Sequence, residues 1–269
     1  MISLSDDERR RRLARRHLLV PATRAESVPS IADAVVALHS SDPVTVYLSL
    51  AARSNSLTID DVDTALYDDR SVIRHHGMRR TLWVTTPEVG EVVHAACTRK
   101  IAGTERARSA AFVGDEQWFD AAVQRVVELV RAAPEGLSTK QIGELAPELR
   151  RKTVYGSGTK HEATGSAHTR AVLVAAFDGD VVRGRPAGRW IGSQYRWNDT
   201  RHWCGIDWSA HTERVAAAAL AERWLRRFGA GTLDDLVWWT GATKTLVRTA
   251  LADLDIAEVS TSSGTCLLY

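Results

Sequence analysis

Residues 212–262 have the sequence TERVAAAALAERWLRRFGAGTLDDLVWWTGATKTLVRTALADLDIAEVSTS, in which helical signals give way to a strand signal. Gly229 is typical of the end of a first helix, and Thr232 is typical of the start of a second. Gly241 separates that second helix from a third, and the run from Ile256 has the composition of a strand. The segment therefore predicts three helices followed by a β-hairpin.

The same order of elements occurs near the N-terminus. The apolar run 31–38 (IADAVVAL) predicts a short buried helix that the polar residues 39–42 close, and a further helix is predicted over 44–53. A third helix is predicted over 61–69. Residues 71–85 (SVIRHHGMRRTLWVT) then contain two β-type runs around a central glycine and methionine, which predicts a hairpin.

A second copy of this order lies in the middle of the chain. An amphipathic helix is predicted over 116–133, Ser138 is predicted to cap a second helix over 139–146, and a third is predicted over 168–177. A hairpin over 180–197 follows, with its turn predicted at Arg185–Gly188. Three helices followed by a hairpin form the winged-helix pattern, in which the hairpin is the wing. The predicted fold class is therefore mainly α with small β-hairpins, arranged as three tandem winged helices.

The boundaries between these domains follow from the repeat. The first winged helix is predicted over residues 1–113, the second over 114–208 and the third over 209–269. The chain reaches Tyr269 inside the third hairpin, so whether that wing is complete stays open here. Tryptophans in the third repeat fall at helical spacing and are predicted to lie in its core: Trp224, Trp238 and Trp239.

The composition is that of an ordinary globular protein. Of the 269 residues, 44% are hydrophobic and 25% are charged, which excludes a disordered, collagen-like or coiled-coil chain. No stretch approaches the roughly 18 to 20 apolar residues that a membrane span needs, and the N-terminus is charged where a signal peptide would be apolar. We therefore expect a cytoplasmic protein without a membrane partner.

Cysteine and histidine spacing does not favour a metal site. The three cysteines are far apart and odd in number, which fits neither a disulfide framework nor a zinc ribbon. Several histidines also lack the spacing of metal ligands: His75, His76, His161 and His168. We predict no metal and no cofactor.

Arginine is strongly preferred over lysine among the basic residues. The chain holds 30 arginines and 5 lysines, a bias that is compatible with nucleic-acid binding and also with codon usage. The arginines of the first two wings are the candidates for DNA contacts: Arg79, Arg80, Arg183, Arg185, Arg189 and Arg196. Trp190 and Trp197 of the second wing are as compatible with packing inside as with stacking on DNA.

Three segments together resemble a known family. They are VVALHSSDPVTVYLSLAAR (35–53), VIRHHGMRRTLWVTTPE (72–88) and WLRRFGAGTLDDLVWWTGATKTLVRTALADL (224–254). In sequence, order and spacing they are similar to the AlkZ/YcaQ family of bacterial DNA glycosylases, over essentially the whole chain. Arg79 occupies the position of an arginine of that family, whereas Trp83 stands where a histidine is common.

The resemblance implies three winged helices that form a DNA-binding scaffold and an activity that cleaves the N-glycosidic bond of alkylated or crosslinked purines. It also implies a catalytic pair in the loop after the second helix. Crosslink-unhooking members carry Gln-x-Gln or Gln-x-Asp there. In this chain His39 and Ser41 occupy the two positions.

The chemistry of such a reaction tolerates this pair. An alkylated purine is already cationic and departs as a neutral base, so no general acid is needed. What remains is to place and polarise a water at C1′, for which two side-chain acceptors suffice. Histidine can also accept a proton near neutral pH. Asp42 could add negative charge near the developing oxocarbenium, although its place before Pro43 is more typical of a helix N-cap.

Two other interpretations remain open from the sequence. One is a non-catalytic winged-helix DNA-binding protein such as a transcriptional regulator, in which residues 39–41 are only a turn. The other is an inactive, truncated paralogue, because the family continues into a C-terminal β-rich domain. In the preferred interpretation the protein is a monomer that binds double-stranded DNA and is associated with the nucleoid.

Overall fold

The computed structural model describes residues 2–155, 158, 160, 163–192, 194–262 and 264–269. The protein is mostly helical (57%) with small sheets, which confirms the predicted mainly α class. Two compact units are present: one combines Met1–Cys97 with Asp207–Tyr269, and the other comprises Thr98–Ile206. Within the described ranges no helix has both the length and the apolar character required to cross a membrane.

The described residues before position 98 form α-helices and strands, besides shorter helical turns. In chain order they are β1 (Ile2–Ser3), α1 (Asp6–Arg16), α2 (Val28–Ala34), β2 (Leu38–His39), α3 (Pro43–Ala51), α4 (Ile59–Asp63), β3 (Ile73–His76), β4 (Leu82–Thr85) and α5 (Pro87–Val93). Short polar side chains cap the helices, as Ser5 does for α1 by accepting from the Glu8 amide. Strand β4 lies between β2 and β3 and pairs antiparallel with both.

One prediction in this segment is wrong. The apolar run 31–38 is not a single helix, because α2 ends at Ala34 and Leu38–His39 forms β2. Val36 turns the chain with a φ of 64°. The physical reason is tertiary: Leu38 pairs with Val84 and His39 pairs with Trp83, and these ladder bonds replace the last helical turn. His39 therefore lies at the end of a strand rather than of a helix.

The middle unit has a core of its own. Its elements are α6 (Arg99–Val113), α7 (Glu116–Arg131), β5 (Leu137–Ser138), α8 (Thr139–Leu145), β6 (Lys152–Tyr155), β7 (Ala163–Ser166), α9 (Ala167–Asp178), β8 (Val181–Pro186), β9 (Tyr195–Asp199) and α10 (Thr200–Cys204). Phe119, Val123, Ile142 and Val172 are buried together in its centre. Strand β9 pairs antiparallel with β8 and with β5.

The predicted turn of this hairpin is displaced. Strand β8 continues through Pro186, so Arg185 belongs to the strand and not to the turn. The tight turn lies at Arg189–Gly192, where the Gly192 amide donates to the Arg189 carbonyl at 2.7 Å. The Ala187 amide still finds a partner in the carbonyl of Gln194 at 2.7 Å, which explains why the hairpin extends beyond the proline.

The last segment repeats the pattern and joins the first. It contains α11 (Glu213–Phe228), α12 (Leu233–Thr240), α13 (Lys244–Ala252), β10 (Ala257–Thr261) and β11 (Gly264–Leu268). Strands β10 and β11 form an antiparallel hairpin, and β1 adds to β10 in parallel. Helix α1 is held here as well, because Arg9 and Arg16 donate to the carbonyls of Ala230 and Gly229.

The first and last segments share one hydrophobic core. Met78 and Trp83 of the first hairpin pack in the same buried cluster as Leu225, Trp239 and Val247 of the last segment. Trp224 and Trp239 are buried, as predicted. The same prediction is wrong for Trp238, which is 68% exposed because its neighbour Trp239 occupies the inward face of α12.

Candidate active site

The three residues His39, Ser40 and Ser41 alternate between solvent and core. His39 and Ser41 are exposed, whereas Ser40 is buried. Because successive side chains of an extended backbone point to opposite faces, the first and third side chains share a face. His39 Nε2 lies 3.3 Å from Ser41 Oγ. The predicted pair is therefore brought together at the surface.

Trp83 supports His39 from the neighbouring strand. The imidazole and indole centroids are 5.2 Å apart with an interplanar angle of 85°, an edge-to-face contact. The indole is itself held, because Nε1 donates to the carbonyl of Met78 at 3.0 Å. The ring that stands where the family often has histidine therefore supports the side chain of His39.

Ser40 is fixed from behind by a buried arginine. Arg74 of β3 donates from Nε to Ser40 Oγ at 2.5 Å. The Ser40 amide also donates to the carbonyl of Leu82 at 2.8 Å, which continues the ladder between β2 and β4 by one bond. These two bonds hold the backbone between His39 and Ser41.

Asp42 acts as the N-cap of α3. Its Oδ1 accepts from the amide of Val44 at 3.0 Å, and Pro43 occupies the first helical position. The side chain remains exposed. The capping role that its position favours is present, and its predicted catalytic role stays a prediction.

Arg79 and Arg80 lie in a tight turn between β3 and β4. The turn Met78–Arg80 is not a regular helix, because both arginines have left-handed backbone, with φ of 55° and 61°. The second strand of the hairpin begins only at Leu82. The prediction that Arg79 and Arg80 belong to that strand is therefore wrong. The Met78 carbonyl stabilises the turn by accepting from the amide and the hydroxyl of Thr81. Left-handed backbone is uncommon at residues other than glycine, and the cases that exist are concentrated at functional sites.

The guanidinium of Arg79 packs on two tryptophans. Its central carbon is 4.7 Å from the ring centroid of Trp238 and 5.8 Å from that of Trp83. Such contacts are typical of cation–π interactions. Gly241 allows this approach, because a Cβ there would lie 2.8 Å from Arg79 Cγ. Trp83 thus contacts both His39 and Arg79, and the two predicted sites of this unit become one.

A second histidine beside this site is unsuited to surface chemistry. His75 is 3% exposed, donates from Nδ1 to the His76 carbonyl and contacts Thr85 Oγ1 through Nε2. Burial lowers its pKa to about 4. His75 is therefore neutral at physiological pH and structural. Across the described residues no group of His, Cys, Asp or Glu side chains could hold a metal ion, and His161 lies outside those residues.

In the middle unit, Arg183 is the best-placed arginine of the wing. Its guanidinium lies 4.9 Å from the ring of Tyr195 and 5.2 Å from that of Trp197. Trp197 is buried and donates from Nε1 to Thr139 Oγ1 at 3.0 Å. An open cleft of about 360 Å³ adjoins these groups, lined also by Lys140 and Gln194. A phosphate can bind Arg183 in this cleft, next to the rings of Tyr195 and Trp197.

The other arginines of this wing differ in their surroundings. Arg185 and Arg189 are exposed on the strand and on the turn. Arg196 instead donates from Nη1 to the carbonyls of Glu135 and Gly136, each at 3.2 Å, after the end of α7. Arg196 therefore has a structural role that the sequence analysis did not anticipate.

Three residues of the site were missed by sequence reasoning. Arg74 resembles any strand residue until the strands are paired, and nothing in the pattern around Trp83 points to a contact with His39. For Trp238 the helical spacing predicts a place in the core. The available signal was the adjacency of Trp238 and Trp239, because two consecutive residues of a helix cannot both face one side.

Comparisons with known proteins place this geometry in a family. The sequence model of a family described as DNA glycosylase AlkZ-like matches residues 32–269. No curated protein sequence matches the chain significantly. Among solved structures, the Streptomyces sahachiroi DNA glycosylase AlkZ is similar with a TM-score of 0.75 and 16% identity, covering 99% of this chain and 70% of that one. At that identity the likeness concerns the fold. Since the family model spans most of the sequence, this chain belongs to the AlkZ-like DNA glycosylase family.

Proposed function

We propose that this protein is a monofunctional DNA glycosylase that hydrolyses the N-glycosidic bond of cationic N7- or N3-alkylated, or crosslinked, purine nucleotides in duplex DNA. Family membership supports the reaction class. The observation that carries the proposal is the approach of His39 Nε2 to Ser41 Oγ, 3.3 Å apart and exposed to solvent. At this separation the two atoms hydrogen-bond each other directly, and both are open to one water molecule on the exposed side of the pair.

The steps of the reaction follow from that arrangement. The bond between C1′ and the purine nitrogen breaks, and its electron pair stays with the cationic purine, which leaves neutral. A water bound on the exposed side of His39 and Ser41 forms the new bond to C1′, and one of its two protons passes to the imidazole. Ser41 orients the water by hydrogen bonding. The Asp42 carboxylate adds a favourable charge near the oxocarbenium, in addition to capping α3.

The repeated order of elements supports three winged helices. A first helix, a short extended segment, two further helices and a hairpin occur in each repeat, beginning with α2, α7 and α11. In each case the short segment after the first helix pairs with the last strand: β2 with β4, β5 with β9, and Gly231 with Leu267 of β11. We propose the division into residues 1–113, 114–208 and 209–269 on this basis.

The wings supply the contacts to DNA in this proposal. Arg79, Arg80, Arg183, Arg185 and Arg189 bind phosphates of the duplex and set the register of the protein on it. Arg196 contributes less, because the carbonyls of residues 135 and 136 already engage its Nη1. The protein acts on duplex DNA as a monomer, needs no metal or cofactor and is associated with the nucleoid.

The test is the release of free base under single-turnover conditions. Duplexes carry N7-methylguanine, N3-methyladenine or a nitrogen-mustard crosslink, and the proteins are wild type, His39→Ala and Ser41→Ala. His39→Ala removes the general base and should lower the rate of base release by at least ~100-fold. Ser41→Ala removes one hydrogen bond to the water and should lower it by roughly 10-fold. His202→Ala and Ser56→Ala replace exposed residues outside the site and are the matched controls.

The outcomes separate the alternatives. Release by the wild type and by both controls, with loss in His39→Ala, supports the proposal. The proposal is overturned for these substrates if wild type and variants all bind DNA but release no more base than spontaneous depurination does. Tight binding to one defined sequence in that case would favour the regulator, whereas weak and strongly salt-dependent binding fits a glycosylase.

A further inference from the structure

The exposed indole of Trp238 lies on a helix that is anchored in the hydrophobic core. It lies near the end of α12 and is 68% exposed, more than any other large hydrophobic side chain of the described residues. The next residue, Trp239, is buried against Trp83 and Phe228, with ring centroids 5.9 and 5.7 Å away. The helix is thus anchored directly beside the exposed ring.

Arg79 restrains the ring further. Its guanidinium lies 4.7 Å from the centroid of Trp238, and the lack of a side chain at Gly241 lets Arg79 lie against the end of the helix. Among the residues that the structure describes, no carboxylate forms an ion pair with Arg79. An ordered aromatic surface and a cation without a carboxylate partner therefore occur side by side.

This pair is connected to the candidate active site. Trp83 contacts Arg79 at 5.8 Å on one side and the ring of His39 at 5.2 Å on the other. All of these residues belong to the same compact unit. A nucleic acid that reaches His39 therefore lies within a few side chains of Trp238.

Charges of both signs lie around Trp238. Asp234 lies one turn earlier on α12, and the ammonium of Lys244 neutralises it at 2.6 Å. Asp235, on the same turn, is exposed and accepts from the Thr232 amide at 2.8 Å. Arg79 is the cation that a phosphate beside the Trp238 ring would meet.

We infer that Trp238 stacks on an unpaired nucleobase of the bound duplex, at or next to the lesion, while Arg79 binds the phosphate of the same nucleotide. Nucleobases are planar and stack on indole rings whatever their sequence, and arginine donors fit phosphate oxygens. This inference rests on the proposed function for the identity of the ligand as damaged duplex DNA. It adds a binding residue that contributes to the preference for a distorted site.

The experiment measures binding and not base release. Fluorescence anisotropy gives the Kd of a duplex in which 2-aminopurine lies opposite a tetrahydrofuran abasic analogue, and of the same duplex fully paired. 2-Aminopurine emission reports stacking of the unpaired base. The variants are Trp238→Ala, Trp238→Leu, which keeps an apolar side chain, and Trp238→Phe, which keeps a ring. Trp118→Phe is the control, because Trp118 also lies beside an arginine, with Arg151 at 5.4 Å, but in the other unit.

Stacking predicts a specific pattern among these variants. Trp238→Ala and Trp238→Leu should weaken binding to the unpaired duplex by between about 5-fold and 100-fold and abolish the change in 2-aminopurine emission. Trp238→Phe should retain most of both effects, and Trp118→Phe should match the wild type. Binding to the paired duplex should change less than about 2-fold in every variant.

Two results would overturn the inference. One is wild-type affinity and emission change in Trp238→Ala. The other is an equal loss of affinity on both duplexes, since Trp238 would then contribute only general contact. Because no base is released in this experiment, failure of the glycosylase proposal leaves the result interpretable. An active enzyme with unaltered Trp238 variants would overturn this inference alone.

Discussion

Nε of Arg74 lies 2.5 Å from Oγ of Ser40, and the two residues are only 2% and 1% exposed. The bond joins β3 to the residue between His39 and Ser41. A hydrogen bond from a charged donor is worth more when both groups are removed from water, and leaving one of them unpaired is costly. The exposed pair His39 and Ser41 thus depends on the hydrogen bond between Arg74 and Ser40, which is buried away from solvent.

Ser40→Ala should lower the free energy of unfolding by about 1.5 to 3 kcal/mol, because the buried Arg74 Nε loses its acceptor. Urea denaturation of the purified proteins measures this loss. Ser56→Ala, at an exposed serine, should change it by less than ~0.5 kcal/mol. Equal stabilities of the two variants would show that the buried bond contributes nothing.

Gly241→Ala and Gly205→Ala form a matched pair. Both glycines end a helix with a φ of 69°, but a Cβ at 205 meets open space whereas one at 241 lies 2.8 Å from Arg79 Cγ. Each substitution costs about 1 kcal/mol for the left-handed backbone. Gly241→Ala should cost about 1 kcal/mol more and weaken DNA binding, as thermal unfolding and anisotropy will show. Identical effects would mean that Arg79 does not depend on that glycine.

Asp42→Asn and Asp42→Ala separate capping from charge. Asparagine caps a helix as well as aspartate does, so Asp42→Asn should keep the stability, whereas Asp42→Ala should lose about 1 kcal/mol. If the carboxylate stabilises the oxocarbenium, Asp42→Asn should release base at least several-fold more slowly than wild type in single-turnover assays. Wild-type rates in Asp42→Asn would restrict Asp42 to capping.

His75 should make the protein sensitive to acid. Burial lowers its pKa to about 4, below the value of about 6.5 that an unfolded histidine has. The unfolded chain therefore binds more protons between these two values, and stability falls as the pH drops from 6.5 towards 4. The expected loss is about 3 kcal/mol over that interval. Urea midpoints measured from pH 7 to pH 4 should fall less steeply in His75→Gln, and an unchanged slope would contradict the assignment.

Arg183→Gln should reduce the salt dependence of DNA binding. Loss of one phosphate contact lowers the slope of log K against log salt by about 1. Arg183→Lys should retain the slope but bind more weakly, since the contacts with Tyr195 and Trp197 favour guanidinium. Arg196→Gln should change the slope less than Arg183→Gln. Binding titrations at several salt concentrations measure these slopes. A larger decrease in Arg196→Gln than in Arg183→Gln would show that Arg196 makes the principal phosphate contact.

Local signals predicted the elements that depend on local interactions. Ser138 and Thr232 cap α8 and α12 with reciprocal bonds to the third residue, and Gly179 ends α9 in the left-handed region. These groups lie within a few residues of their partners, so the sequence pattern contains the whole interaction. The pairing of His39 with Ser41 was also accessible, because i and i+2 share a face of an extended segment.

Long-range partners explain what the sequence could not predict. Leu38 and His39 form a strand because Trp83 and Val84 lie opposite, more than forty residues later. Arg196 binds carbonyls sixty residues before it, and Arg79 packs on Trp238, far along the chain. Neither secondary-structure propensity nor hydrophobic periodicity predicts contacts between residues so far apart in sequence. The site therefore resulted from tertiary pairing, which overrides local preference.

The pairing of β1 with β10 has a consequence for the order of events during synthesis. Ile2 and Ser3 find their partners, Val259 and Ser260, only after all the residues between them have been synthesised. The packing of Trp83 against Trp239 is subject to the same delay. Contacts between residues so distant in sequence form late. Until residue 239 has been synthesised, the chain therefore lacks the tryptophan packing behind His39, and the candidate site cannot take its final form.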